Sequence, residues 1–109
     1  HSSCQRVEQA LVYKAVLKSD GASLVFTGDT HYHPPIAAFA KGAELLIHDG
    51  AHTAARDAAT IAKTAGVGKL LLIHYLQAGA DQLLSDARAV FPETELAREG
   101  STVEVHRAT

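Results

Sequence analysis

The chain has 109 residues, 47% of them hydrophobic and 20% charged, with a formal net charge of −2. This composition supplies apolar residues for one core and one domain, and it excludes a broadly basic, nucleic-acid-coating surface while permitting a local basic groove. The single cysteine, Cys4, excludes an internal disulfide framework and a cysteine-rich zinc module, and no apolar run approaches the roughly 20 residues of a membrane span.

In chain order, the segment from Ala10 to Leu17 predicts a strand, with Tyr13 and Val16 as good β-formers. Ser19-Asp20-Gly21 is a turn signal, so this strand and Ser23 to Thr27 are expected to form a hairpin. Ser23 to Thr27 is mostly apolar and is expected to be buried on both faces. It runs into Gly28, which delivers the carboxylate of Asp29 at the strand's end. A polar loop (Thr30-His31-Tyr32-His33) follows, and Pro34-Pro35 opens a short helix expected over Pro35 to Lys41 and ended by Gly42. Glu44 to His48 predicts the next buried strand. Thr53 is the expected cap of a helix to about Ala65, with Ala54, Ala58, Ile61, Ala62 and Ala65 on one stripe and Gly66 as its stop. Lys69 to His74 predicts a strand ending on histidine. Asp81 is the expected cap of a last helix with Leu83, Leu84, Ala87, Val90 and Phe91 inward and Pro92 beyond it. Thr94 to Ala97 and Thr102 to His106 suggest a closing hairpin. Alternating strands and helices predict an α/β unit, and the hairpins at both ends predict a mixed sheet.

Seven histidines stand in the chain, and their placement carries more than their number. His48 and His74 end strands, His31 and His33 follow Asp29, His52 precedes a helix, and His1 opens the chain. A carboxylate at the carboxyl end of a buried strand sits where open α/β sheets hold ligands, so Asp29 and His74 are expected to meet at one metal site. Imidazole and carboxylate together suit zinc, manganese or iron. Plainer roles exist for each: Asp29 as a turn cap, His74 as a satisfied core histidine, and His31, His33 and His48 as loop or supporting residues. His106 is expected at the surface.

The ordered set Val25-Phe-Thr-Gly-Asp-Thr30, Lys41-Gly-Ala-Glu-Leu-Leu-Ile-His-Asp49, His52-Thr53 before an alanine-rich helix, and Leu70-Leu-Leu-Ile-His-Tyr75 resembles the C-terminal half of the metallo-β-lactamase superfamily. The likeness runs over roughly residues 1 to 105 and points to the ribonuclease Z and arylsulfatase-like branch. It implies half of an αββα sandwich, a mixed sheet with helices packed on one face, over residues 1–109. It implies that Asp29 bridges two divalent metal ions (zinc, with manganese or iron as alternatives), that His74 is a terminal ligand, and that His1 is a ligand preceding the Ala-Leu-Val-Tyr strand. It implies that His52 protonates the leaving group. The activity implied is hydrolysis of an ester, phosphodiester or sulfate ester, by metal-bound hydroxide, since a metal lowers the pKa of bound water from about 15.7 to about 7. The substrate is then a small-molecule or nucleotide ester, with no membrane partner, a homo-oligomer as an option and a cytoplasmic location.

Three departures stand out. The His-x-His-x-Asp-His ligand motif of the superfamily's N-terminal half is absent, the segment from His48 to His52 is very short, and Asp49 stands where relatives often carry glutamate. The chain contains no methionine and opens on His1, so it is expected to be a piece of a longer enzyme, inactive alone and marginally stable with one sheet face bare. The alternative from a different class is a non-catalytic α/β domain that keeps the fold without a complete metal site. A phospho-accepting receiver-like domain lacks its early acidic pair and late lysine.

Overall fold

The computed structural model describes residues 2–7, 10–16, 21–27, 32–51 and 53–98. In order they form β1 (Ser2–Val7), β2 (Ala10–Val16), β3 (Ser23–Phe26), α1 (Ile36–Phe39), β4 (Leu45–Asp49), α2 (Ala55–Ala65), β5 (Lys69–Ile73), α3 (Ala80–Val90) and β6 (Thr94–Leu96). The strands make one sheet in the order β1-β2-β3-β4-β5-β6. β1, β2 and β3 pair antiparallel, and β3, β4, β5 and β6 pair parallel, which is the mixed sheet expected.

The three parallel crossovers step across the sheet in the same direction. Right-handed connections therefore place α1, α2 and α3 on the same face. There Val25, Leu46, Leu70 and Leu72 meet Ile36, Ile61 and the alanines of α2 in one core. Side chains as fully buried as Leu46, Ile61, Leu70 and Leu72 each contribute roughly 1.5–3 kcal/mol. α2 buries Ala55, Ala58, Ala59, Ile61, Ala62 and Ala65, and so small a stripe lets the helix lie close to the strands.

The opposite face carries Leu24, Phe26, Ile47, Leu71 and Ile73, all half-buried. β3 and β5 are thus buried on one face only, which corrects the expectation for β3: with all helices on one side, strand alternation exposes the other. Four local readings also change. Ala54, not Thr53, is the N-cap of α2, and Gly79, not Asp81, is that of α3. β5 stops at Ile73, with His74 just beyond it. β6 pairs in parallel with β5, and the 102–106 half of the expected closing hairpin lies outside the described residues. β1 had no apolar pattern to announce it; its pairing with β2 makes it a strand. No helix among the described residues is long and apolar enough to cross a membrane.

Candidate active site

Because β3, β4 and β5 run parallel, their carboxyl ends share one edge of the sheet. Thr27 follows β3, Asp49 closes β4 and His74 follows β5. The Thr27 N–H donates to the Ile47 carbonyl at 3.0 Å, prolonging the ladder by one residue. Its Oγ1 then accepts the Asp49 N–H at 3.3 Å, tying the two strand ends together.

Asp49 is fully buried, and its Oδ1 accepts the Ala51 N–H at 3.3 Å. The same oxygen lies 3.7 Å from Nδ1 of His74, whose side chain is 52% exposed. One imidazole rim thus faces solvent while a buried carboxylate stands against the other. Strand alternation would turn residue 74 toward the helix face with Leu70 and Leu72, whereas Asp49, in register with Ile73, belongs to the opposite face. A left-handed backbone at His74 (φ 59) takes it off that alternation. Such a conformation in a non-glycine residue costs on the order of 1–3 kcal/mol and concentrates at functional sites.

Two further contacts hold this edge. The Gly50 N–H donates to the Ile73 carbonyl at 2.6 Å, an approach so close that a Cβ at residue 50 would stand 3.1 Å from that oxygen. Beyond His74, the Tyr75 hydroxyl donates to the Ala97 carbonyl at 2.6 Å, fastening the loop to the end of β6.

His48 faces the helix side, in register with Leu72, and is fully buried. Its Nδ1 is 2.9 Å from the Asp49 carbonyl oxygen. A carbonyl only accepts, so Nδ1 carries the proton and Nε2 presents a bare lone pair. Nε2 has no hydrogen-bond partner among the described residues. Burial lowers the imidazole's proton affinity below its ordinary value, against a smaller opposing pull from the hydrogen bond and charge of Asp49. An unsatisfied buried polar atom costs about 1–3 kcal/mol.

Of the residues singled out in the sequence, His74 lies at this edge. Asp29, His52 and His1 lie outside the described residues, as do His31 and His106. His33 is half-buried in the loop before α1. Asp49, Thr27 and Gly50 were missed as site residues. Their signal was a polar residue closing each apolar strand, with glycine directly after the acid. Among the described residues no group of three His, Cys, Asp or Glu side chains is placed to hold a metal ion. The carboxylate oxygen and imidazole nitrogen that do meet are donors of the type zinc, manganese and iron accept.

No family model matches the chain. It is 35% identical to ribonuclease Z of Brevibacillus brevis over 108 residues, covering 80% of this chain and 34% of that protein. It is 38% identical to ribonuclease BN of an Enterobacter species over 96 residues, covering 72% of this chain and 32% of that protein. The chain thus spans about a third of the length of these relatives. Among solved structures, the metallo-β-lactamase fold protein YhfI of Bacillus subtilis matches with a TM-score of 0.76 and 26% identity, over 92% of this chain and 46% of that one. Human tRNase Z, short form, matches in fold with a TM-score of 0.64 at 20% identity, over 87% of this chain and 38% of that one. Sequence and fold together place this chain in the metallo-β-lactamase superfamily, on its ribonuclease Z-like branch.

Proposed function

We propose that the protein containing this chain is a metal-dependent hydrolase that cleaves a phosphodiester of RNA. The observation that carries the reading is the buried Asp49 carboxylate set against His74 at the carboxyl edge of the parallel strands. The ribonuclease names of the relatives favour a phosphodiester over a sulfate ester.

In this reading Asp29, His74 and His1 hold two divalent ions, zinc or else manganese or iron, together with ligands from upstream sequence. When bound, the ions supply a water that ionises near neutral pH. The chain's own residues do the rest. Asp49 accepts from the Ala51 N–H and stands beside Nδ1 of His74, so the carboxylate fixes the ring and a ligand role falls to Nε2. As the P–O bond to the departing nucleoside breaks, His52 would give the departing oxygen its proton. A cytoplasmic location accompanies an RNA substrate.

The test is Asp29→Ala in the full-length protein, assayed on an RNA oligonucleotide and on bis(p-nitrophenyl) phosphate, with bound metal counted by mass spectrometry. Loss of both turnover and metal is expected. Retained turnover, or an upstream sequence without a His-x-His-x-Asp-His motif, would turn the reading toward a non-catalytic domain.

A further inference from the structure

We propose that His48 is a positioning residue for the site: its Nδ1–H holds the Asp49 carbonyl oxygen, fixing the Asp49–Gly50 peptide and through it the carboxylate that faces His74. A peptide unit is planar, so two hydrogen bonds to partners on different elements leave it little freedom. This unit has both. Its oxygen accepts from Nδ1 of His48 at 2.9 Å, and its N–H donates to the Ile73 carbonyl at 2.6 Å. The His48 bond comes from within β4, and the Ile73 bond reaches across to β5. Without the first, the carbonyl could swing about the second, because glycine opposes such rotation least of all residues.

The case for imidazole at this position is chemical. Residue 48 shares the helix face with Leu46 and Leu72, where an aliphatic side chain would meet the same apolar surroundings. The ring instead brings an Nε2 that is enclosed and, among the described residues, unpartnered. Buried polar atoms that lack a partner are rare and call for a compensating role. Nδ1 supplies one, since its partner is the backbone oxygen of the residue whose side chain stands 3.7 Å from His74.

Two substitutions in the full-length protein separate the two nitrogens. His48→Asn keeps an amide donor near the Nδ1 position and removes the ε atom. His48→Gln places its amide near Nε2 and removes the δ donor. The kinetic arm rests on the hydrolytic reading above. There the Gln variant should fall about 10- to 100-fold below the Asn variant in kcat on bis(p-nitrophenyl) phosphate, with KM changed much less. Equal activities, or Gln above Asn, would overturn the positioning role. A second readout is independent of activity: long-range nitrogen–proton NMR of the metal-free protein should show the His48 proton on Nδ1. A proton on Nε2 would overturn the inference even in an active enzyme. If the wild-type protein hydrolyses no phosphodiester, the hydrolytic reading fails, while the NMR result still decides the role of Nδ1.

Discussion

Gly50→Ala tests the strand lock at the site, and its cost can be worked from the contacts. The added Cβ would lie 3.1 Å from the Ile73 carbonyl oxygen and 3.4 Å from Cβ of Tyr75, and ordinary contact begins near 3.4 Å. The crowded atom is backbone, already drawn to Gly50 by a 2.6 Å hydrogen bond, and it lies in β5 between β4 and β6. It cannot rotate away, so the ends of β4 and β5 must part by a few tenths of an ångström. Overpacking of this kind costs about 1–3 kcal/mol. Restricting the unfolded chain returns about 0.4–1 kcal/mol, leaving a net loss of about 1–2 kcal/mol. Urea denaturation of the full-length protein should show a lower midpoint with an unchanged slope. Asp49 closes one of the strands being parted and His74 directly follows the other, so activity per folded molecule should fall about tenfold or more. Gly68→Ala is the control. Its Cβ would stand 2.8 Å from the Glu44 carbonyl, a worse clash, but before β5 begins, at the far end of that strand from His74. It should cost more stability and leave activity per folded molecule intact. An unchanged midpoint for Gly50→Ala, or equal losses of activity in the two variants, would refute the argument.

Two further outcomes follow from the same edge. Tyr75→Phe removes the hydroxyl that donates to the Ala97 carbonyl at 2.6 Å, and should lower stability by about 1 kcal/mol in urea titration; no change would mean that water replaces the bond without loss. Burial holds the folded pKa of His48 below its ordinary 6.5, so in acid the unfolded chain binds the extra proton. The contribution of His48 to stability is therefore complete above the unfolded value and is lost as pH falls from there to the lowered folded value. Urea titrations between about pH 7 and pH 5 should be flatter for His48→Asn than for wild type, and parallel curves would refute this assignment.

Much of the framework was legible because it is written in local periodicity. The alanine stripe of α2, the apolar runs of β4 and β5 and the antiparallel pairing of β2 with β3 each announce themselves in neighbouring sequence. Part of the candidate edge was legible too, since apolar strands closing on polar side chains point to His48 and His74; Asp29 lies outside the described residues. What escaped depended on distant partners. Ser2 to Val7 pairs as a strand only because Ala10 to Val16 lies beside it. Thr53 and Asp81 look like caps by residue type, yet α2 and α3 take their caps from Ala54 and Gly79. Asp49 stands out in the sequence only as a difference from relatives, because 24 residues of intervening chain separate it from His74 and strand pairing makes the contact.

By itself the amino-acid sequence determined the α/β class, the order of helices and strands, and a supply of acid and imidazole where strands stop. Those are consequences of side-chain period, of glycine and proline punctuation, and of apolar content, all of them short-range properties. Only the tertiary structure decided that β3, β4, β5 and β6 run parallel side by side, that Asp49 meets His74, and that, among the described residues, one nitrogen of His48 is engaged while the other is not. Period two assigns a side chain to a face, but pairing between strands decides what it finds there.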